Sequence, residues 1–375
     1  MLEQDLPALR EKIAEVDEQI LGLVAKRLQI AEEIGKYKLE NGITIKAFDV
    51  EKKVTQRYQK IAKALNIDTE LTNSLSTLLI DHACKVQERK RLDKITSSYK
   101  ASKSPGKAVV IGGAGNMGVW FYNFLNSFGY ECFVIDTNKK SHDLIYVDEN
   151  VDYKSFMCEV DIIVVATPLA ITNEVLKSVA ATETKALVFD IASLKSPILE
   201  TLNLVKTKLP NLVSVHPMFG PSVDLLTGEN ILVCDIGNEK ANNLAISLFE
   251  KTAATVSLIT PESHDELMSE VLGLSHIINL LFADVLNDTK VPISYIIDSK
   301  STTFKSQLDV SMKVASENPA LYYDIQQMNV FTPELYQRLR KSVDRLTSLV
   351  LLDNKEDFTN LMKSYGKTLN ALKSH

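Results

Sequence analysis

A glycine-rich stretch near residue 115 has the spacing of a pyrophosphate-binding turn. Gly113, Gly115 and Gly118 follow the short apolar run 108–111 and precede an amphipathic segment. Glycines at these positions permit a tight turn and close approach of the backbone, so that a pyrophosphate can lie at the positive N-terminus of a helix. The next apolar run ends at Asp136, where a carboxylate can hold ribose hydroxyls and repel a 2′-phosphate. The pattern therefore predicts a dinucleotide site that prefers NAD to NADP.

Four further residues complete the predicted nucleotide site. Asn116 and Met117 lie within the glycine turn, and Thr167 and Pro168 end another apolar run. That position predicts that Thr167 and Pro168 lie beside the nicotinamide, at the carboxyl edge of a parallel sheet. The alternative interpretation is a glycine turn that binds no phosphate, with Asp136 as a solvated strand end.

Two polar side chains end or follow later apolar runs. His216, which opens the segment His-Pro-Met-Phe-Gly-Pro, ends the run 212–215, and Ser193 follows the run 186–191. Ligands of open parallel sheets bind at the carboxyl ends of the strands, so His216 is placed to act as a general base, with the Ser193 hydroxyl at the same edge. From position alone, a structural histidine at a proline turn and a serine helix cap fit equally well.

Three cations lie on the long polar segment at the N-terminus. Arg27 and Lys38 are 11 residues apart, about 16 Å in a helix and nearly on one face, so their side chains could converge on one small dianion. Arg10 is 28 residues from Lys38, about 42 Å along the same helix. If the three act together, Arg10 has to come from a second chain. Three solvated surface cations are the alternative.

Apolar periodicity divides the chain into the parts that must position these groups. Residues 1–94 have helical spacing, with a first helix of about 35 residues that is long enough to be shared with a partner chain. Residues 107–260 alternate short β-branched runs with helix-length segments, which is typical of a doubly wound parallel sheet of the Rossmann type. Helical spacing resumes over residues 261–375, and the Ser- and Lys-rich stretch 95–106 is a predicted linker. We therefore predict an all-α module, an α/β domain and a second all-α domain.

Composition excludes several classes of function. The net charge is −6, with 48 acidic against 42 basic residues, whereas binding a phosphate backbone needs a clustered basic excess. The longest uninterrupted apolar runs are about half the roughly 20 residues of a membrane span, and the N-terminus has no signal-peptide pattern. The four cysteines lack metal-ligand spacing. We expect a cytoplasmic protein with reduced thiols that binds no metal, nucleic acid or membrane.

From residue 107 to the C-terminus the chain resembles the prephenate dehydrogenase family. The resemblance rests on four motifs in order: Ile-Gly-Gly-x-Gly-x-Met-Gly, Asp-Ile-Ala-Ser-x-Lys-x-Pro, the highly specific His-Pro-Met-Phe-Gly-Pro, and Ser-His-Asp. It implies that His216 accepts the ring-hydroxyl proton of prephenate as a hydride leaves for NAD, while Ser193 orients both and the ring carboxylate departs as CO2. It also implies a helical dimerisation domain.

The same resemblance implies four candidate substrate-binding residues in this chain. The family has a carboxylate-binding arginine on a late helix where this chain has Lys313, which keeps the charge but loses the two-pronged guanidinium fork. Lys305, two turns earlier, could assist. His264 and His276 fall where family members have polar residues near the substrate, and either could instead be a structural histidine.

The N-terminal part resembles the helical chorismate mutase family in the segments 9–17, 25–28 and 34–38. That family forms a dimer that exchanges its first helix, which implies a homodimer here. The resemblance implies that Arg27, Lys38 and the partner's copy of Arg10 hold the two carboxylates of chorismate, and that one of these cations also bonds the ether oxygen. It further implies that Glu51 contacts the substrate hydroxyl and that Gln87 lies near the ether oxygen. Catalysis is then electrostatic, with no covalent step.

Three positions depart from the mutase pattern. The family's acid is replaced by Ala47, an arginine by Val50 and a third-helix serine by Ala83. Loss of an arginine that binds a carboxylate weakens binding unless another cation replaces it, and Lys46, Lys52 or Lys53 could do so.

Three functional interpretations remain open at this stage. The first is a bifunctional enzyme that converts chorismate to prephenate and oxidises prephenate to 4-hydroxyphenylpyruvate for tyrosine synthesis. The second is a dehydrogenase whose mutase-like module only dimerises or regulates, as Val50 and Ala83 would suggest. The third is the same pair of activities on the 4-amino-4-deoxy analogues, which the residue at Lys313 leaves possible.

Overall fold

A computed structural model describes residues 6–45, 48–101, 104–138 and 143–373. Its N-terminal part is helical: α1 (Leu6–Glu40), α2 (Phe48–Leu65) and α3 (Thr69–Ala101). Helix α1 ends directly before Asn41 and Gly42, and Gly42 adopts a φ of +66° that favours glycine. Because α3 continues to Ala101, the first half of the predicted linker 95–106 is helical. The reason is that Leu92 and Ile95 pack against the core of the neighbouring sheet, which local composition does not reveal.

Within the described residues, seven strands form one sheet in the order β2-β1-β3-β4-β5-β6-β7. The strands are β1 (Lys107–Ile111), β2 (Glu131–Ile135), β3 (Ile162–Val165), β4 (Leu187–Asp190), β5 (Leu212–Pro217), β6 (Asn230–Cys234) and β7 (Thr255–Ile259). The first five pair in parallel as predicted, and β5 and β6 pair antiparallel. Only this pair departs from the predicted parallel sheet, since the chain returns beside β5 through a loop rather than a crossover helix, and β6 and β7 again pair in parallel.

Helices cover both faces of the sheet, as buried parallel strands require. They are α4 (Asn116–Ser127), α5 (Tyr153–Cys158), α6 (Leu169–Ala181), α7 (Ser196–Val205) and α8 (Glu239–Phe249). On one face Phe121, Phe124, Phe189 and Phe249 meet edge-to-face or stacked, with ring centroids 5.7–6.5 Å apart. Aliphatic residues of β1, β3 and β4 form the second core with α6 and α7. These two cores fix the ends of the strands, where the predicted dehydrogenase residues lie.

The C-terminal part is helical, as predicted. It consists of α9 (Pro261–Met268), a π-helical turn (Ser269–Leu274), α10 (Ser275–Asn287), α11 (Ile293–Asp298), α12 (Thr302–Ala315), α13 (Pro319–Met328), α14 (Thr332–Leu351) and α15 (Lys355–Lys373). Contacts divide the chain into two compact units. One contains Met1–Ser193 and Ile198–Pro261, and the other contains Leu194–Pro197 and Glu262–His375. The N-terminal helices and the sheet therefore belong to one unit.

One helical segment, Pro261–Asn287, is long and apolar enough to cross a membrane by length and composition alone. The sequence expectation missed it because polar residues divide its apolar runs. It contains His264 and Asp265, which are fully buried in the protein. Core helices of soluble proteins pass the same test, so this property does not assign the segment to a membrane.

Candidate active sites

The glycine turn after β1 is shaped for close approach of a ligand to the backbone. A Cβ atom on Gly118 would overlap the carbonyl oxygen of Gly112, and one on Gly113 would lie 2.6 Å from Cγ1 of Val134. Helix α4 begins directly after Gly115, and no side chain in the described part of the chain caps its N-terminus. Its first amide groups therefore remain available for an anion.

Asp136, just beyond the end of β2, is tied to this turn. Its Oδ2 accepts a hydrogen bond of 2.9 Å from the amide of Ala114, and its Oδ1 accepts one of 2.8 Å from the amide of Asn138. Each carboxylate oxygen keeps a second lone pair. The carboxylate is half-buried beside the helix N-terminus, which is the placement that ribose recognition requires.

The remaining predicted nucleotide residues lie around the same turn. Asn116 and Met117 are the first two residues of α4, and Pro168 directly precedes α6. The hydroxyl of Thr167 lies 3.1 Å from that of Thr172. A Cβ on Gly112 would lie 2.6 Å from the carbonyl oxygen of Ala166, so the ends of β1 and β3 meet closely. The turn, the open helix end and the acid fit a dinucleotide.

Ser193 and His216 lie at the carboxyl edge of two neighbouring strands. Asp190 of β4 pairs with Ser214 of β5, so Ser193 follows that register by three residues and His216 by two. His216 is 4% exposed and pairs with Leu232 of β6, while Ser193 is half-buried. At about 4.8 Å per strand, β5 lies roughly 14 Å from β1, a distance that an extended dinucleotide spans.

The second unit contains the predicted substrate residues of the late helices, in different environments. Lys305 and Lys313 are exposed on α12. His276 is buried and stacks on Tyr322, with ring centroids 4.0 Å apart. Burial lowers the pKa of His276, which favours the neutral ring.

His264 fits a structural histidine better than a substrate contact. It is fully buried, and its Nδ1 lies 2.7 Å from Oδ1 of Asp265. The Asp265 carboxylate also accepts hydrogen bonds from the amides of Lys195 and Ser196. Burial alone would raise the pKa of Asp265, but these hydrogen bonds outweigh it and lower that pKa. The pair thus holds the segment 194–197 within the second unit.

The N-terminal helices bring several predicted mutase residues together. Nη1 of Arg27 donates to the carbonyl oxygen of Leu79 on α3 (2.5 Å), and Nζ of Lys38 donates to that of Ile45 in the turn after α1 (2.5 Å). Burial lowers the pKa of Lys38, while the nearby charge of Glu51 opposes that shift. Glu51 on α2 is thus close enough to Lys38 on α1 for the two charges to interact.

Gln87 lies against α1 in the same group. A Cβ on Gly35 would lie 2.9 Å from Cγ of Gln87 and 3.2 Å from its Cα, so a glycine is needed for α3 to approach α1 this closely. Gln87 is 7% exposed. One turn of α1 separates Gly35 from Lys38, so Gln87 packs on α1 about one turn from that lysine.

Arg10 lies far from this group on α1. Every residue from 6 to 23 is exposed, including the apolar positions Leu6, Leu9, Ile13, Val16, Ile20 and Leu23. These positions follow one another at intervals of three and four residues, the spacing of a helix seam that packs on another helix.

Three positions depart from the mutase pattern. Val50 is exposed and Ala83 is half-buried, while Ala47 lies outside the described residues, as does Lys46.

Sequence reasoning missed two residues of α3. Glu88 is 1% exposed, and its carboxylate accepts hydrogen bonds from the amides of Leu226, Thr227 and Ala253 and from the Thr227 hydroxyl, at 2.8–3.2 Å. It thereby attaches α3 to the loop between β5 and β6. Arg91 extends from α3 toward the turn after α1, with Nη2 3.5 Å from the carbonyl oxygen of Ile43. No local pattern marks either residue, since both act on distant segments.

Comparisons with known proteins agree with this architecture. Family models match in succession: chorismate mutase type II over residues 9–88, the nucleotide-binding domain of prephenate dehydrogenase over 134–258, and its dimerisation domain over 260–364. A chorismate mutase of Methanocaldococcus jannaschii is 33% identical over 86 residues, 23% of this chain and 87% of that protein. The T-protein of Enterobacter agglomerans is 22% identical over 321 residues, 86% of this chain and 81% of that protein. The chain belongs to the bifunctional chorismate mutase/prephenate dehydrogenase family.

Further matches concern the dehydrogenase part. A probable arogenate/prephenate dehydrogenase of M. jannaschii is 26% identical over 266 residues, 69% of this chain but only 60% of that protein. The crystal structure of Aquifex aeolicus prephenate dehydrogenase with hydroxyphenyl propionate and NAD+ covers 72% of this chain and 99% of its own, with a TM-score of 0.59 and 20% identity.

Family membership confirms the predicted order of folds. The N-terminal helices are a chorismate mutase domain, the sheet is the nucleotide-binding domain of an NAD-dependent oxidoreductase, and the C-terminal helices are its dimerisation domain. The chain is accordingly a bifunctional enzyme of aromatic amino acid biosynthesis.

Proposed function

We propose that the chain rearranges chorismate to prephenate in its N-terminal domain and oxidatively decarboxylates prephenate to 4-hydroxyphenylpyruvate in its dehydrogenase part. The observation that carries the second activity is the shared strand edge of Ser193 and His216, on the same side of the sheet as the glycine turn. Gly113, Gly115, Asn116, Met117 and Gly118 would hold the pyrophosphate, Asp136 the ribose, and Thr167 and Pro168 the nicotinamide end. Bound NAD supplies the hydride acceptor.

The residues of this chain supply the proton chemistry. In the proposal the His216 imidazole accepts the proton of the ring hydroxyl as the C–H bond breaks, so that a C=O bond begins to form. The ring carboxylate then leaves as CO2, the electrons of the broken C–C bond complete the aromatic ring, and the ring oxygen takes its proton back from the imidazolium. The Ser193 hydroxyl orients the substrate oxygen and the imidazole. Burial of His216 to 4% exposure keeps bulk water from competing for that hydrogen bond.

Cations of the C-terminal helices would bind the substrate carboxylates. Lys313 and Lys305 on α12 are the candidates, and His276 on α10 adds a buried ring whose pKa is lowered by burial. Lys313 in place of the family's arginine is the reason to retain the amino analogues as an alternative substrate class. Comparing turnover of prephenate with that of 4-amino-4-deoxyprephenate decides between them.

In the mutase domain, we assign Arg27 and Lys38 to the carboxylates of chorismate, Glu51 to its hydroxyl and Gln87 to its ether oxygen. What supports this assignment is that α1, α2 and α3 bring these side chains to one region without a substrate. Preorganised charge of this kind stabilises a compact pericyclic transition state without covalent catalysis. The alternative, a non-catalytic dimerising module, predicts that chorismate is not consumed at all.

Arg10 would complete this site from a second copy of the chain. The exposed apolar seam of α1 from residue 6 to 23 is the support for a homodimer with an exchanged first helix. Mixing two inactive variants tests it: Arg10→Ala and Lys38→Ala homodimers should regain mutase activity after subunits exchange, since one site of each mixed dimer is intact. If activity does not return although exchange is measured, Arg10 acts within its own chain.

We propose a division into domains at residues 1–101, 107–260 and 261–375, with the first boundary moved from residue 94 to the end of α3, and a cytoplasmic location. The experiment that tests the proposed function as a whole is a coupled assay with chorismate and NAD, in which the aromatic product is identified. The expected result is 4-hydroxyphenylpyruvate with one NADH per chorismate. Turnover of added prephenate alone, with chorismate unchanged, supports the non-catalytic module.

A further inference from the structure

Helix α3 carries two buried polar atoms one turn apart that lack partners. Oε1 of Gln87 and Nη1 of Arg91 are both buried, and neither has a hydrogen-bond partner among the described residues. Residues four apart in a helix lie on the same face. A buried guanidinium nitrogen without an acceptor is unfavourable. Nη1 of Arg91 is therefore suited to a ligand that supplies an acceptor, whereas Oε1 of Gln87 would accept from a donor.

Arg91 belongs to the same group of charges as Lys38. Nη2 of Arg91 and Nζ of Lys38 both reach the turn after α1, at the carbonyl oxygens of Ile43 (3.5 Å) and Ile45 (2.5 Å). Burial is the main cause of the lowered pKa of Lys38, and the positive charge of Arg91 adds to it. Burial also lowers the pKa of Arg91 itself. Two cations brought together in a partly dehydrated place favour the binding of an anion.

We propose that Arg91 binds a carboxylate of the mutase substrate and takes the place of the arginine that the family has at the position of Val50. This inference rests on the proposed mutase function. Val50 is apolar and exposed, so it cannot supply the charge from α2. Arg91 supplies it from α3, across the same turn that joins α1 to α2. Its planar fork can bind a carboxylate through two hydrogen bonds, which none of the nearby lysines can do.

Substitution of Arg91 in the full-length chain tests the proposal. Arg91→Ala should raise the KM for chorismate at least about tenfold, as expected for loss of a hydrogen-bonded charge. Arg91→Lys should recover part of that loss, because it keeps the charge without the fork. Arg89→Ala is the matched control, since Arg89 is exposed on the same helix, and its mutase kinetics should not change. Unchanged dehydrogenase kinetics in all three variants establishes that the fold is intact.

A double variant tests whether an arginine at position 50 can take over the role of Arg91. In the Arg91→Ala background, Val50→Arg should restore part of the lost affinity, because both arginines would serve the same carboxylate. A KM in Arg91→Ala equal to that of Arg89→Ala overturns the proposal. If the unmodified chain does not consume chorismate, the proposed mutase function fails by itself. Calorimetric titration with chorismate then still tests Arg91, and equal affinity of the unmodified and Arg91→Ala chains overturns its role.

Discussion

The carboxylate of Glu88 lies 2.8 Å from the hydroxyl and 2.9 Å from the amide of Thr227, 139 residues later in the chain. Its other oxygen accepts hydrogen bonds from the amides of Leu226 and Ala253. One buried side chain on the mutase domain thus satisfies four donors of the dehydrogenase sheet and its loops. Since Gln87 precedes it directly, the rotation of α3 that places Gln87 is set partly by the other domain.

Glu88→Ala is expected to destabilise the chain by at least about 2 kcal/mol, because it leaves buried main-chain donors without an acceptor. Glu88→Gln should also destabilise it, since its amide group would face amide donors. Thermal unfolding and mutase activity are the measurements. Glu40→Ala is the control: Glu40 contacts Lys94 at 3.4 Å in an exposed ion pair, which contributes within about 0.5 kcal/mol. Equal unfolding temperatures for the Glu88 and Glu40 variants would show that the domain contact contributes little.

His216→Asn is expected to lower the rate of NADH formation from prephenate by about 10²–10⁴, the usual contribution of a general base. Mutase activity should be nearly unchanged, because the two sites share no residue. Steady-state assays of both reactions on one preparation provide the measurement. A parallel loss of both activities would argue for a structural histidine whose removal disturbs the sheet.

Asp136→Ser is expected to reduce the preference for NAD over NADP at least about tenfold, since the variant neither repels a 2′-phosphate nor holds the ribose hydroxyls as strongly. The ratio of kcat/KM for the two cofactors measures this. Asp235→Ser is the matched control, because Asp235 also follows a strand and accepts a 2.8 Å hydrogen bond from the amide two residues later. An unchanged ratio in Asp136→Ser would mean that the acid only orders the glycine turn.

The pH dependence of the mutase should reflect Lys38. Burial lowers its pKa from 10.5, and only the ammonium form binds a carboxylate, so kcat/KM for chorismate should decline below the pH at which a free lysine loses its proton. Bound chorismate, a dianion, favours the charged form of Lys38 and so raises its pKa in the complex. The value of kcat should therefore decline at a higher pH than the value of kcat/KM. Lys38→Arg, which keeps its charge, should remove this alkaline limb. Superimposable profiles for the two chains would exclude Lys38 as the titrating group.

The sequence predicted those parts of the fold whose pattern is local. The strands β1 and β3–β5 are almost wholly buried and therefore appear as uninterrupted β-branched runs. Strands β6 and β7 were missed, because β6 alternates in burial and β7 exposes Ser257 and Leu258. The end of α3 was misplaced since Ile95 is held by a core that lies elsewhere in the sequence.

The same distinction applies to the sites. The glycine turn, Asp136 and His216 were found because their chemistry requires fixed positions relative to strand ends. Glu88 and Arg91 were not found, because their partners are the loop at Thr227 and the turn at Ile43, and no spacing in the sequence encodes those approaches. His264 was offered either as a substrate contact or as a structural histidine, and the sequence did not reveal that its Nδ1 lies 2.7 Å from the neighbouring Asp265.

In the proposed dimer, the exposed seam of α1 would make the stability of the N-terminal helices depend on the protein concentration. The apolar residues between Leu6 and Leu23 extend over about 27 Å of helix surface, and in that dimer they would leave water when two copies meet. Their share of the folding free energy would then be gained by association and follow mass action. On dilution these helices should unfold at a lower temperature. The aromatic core of the sheet lies within one copy, so its unfolding temperature should not depend on the protein concentration.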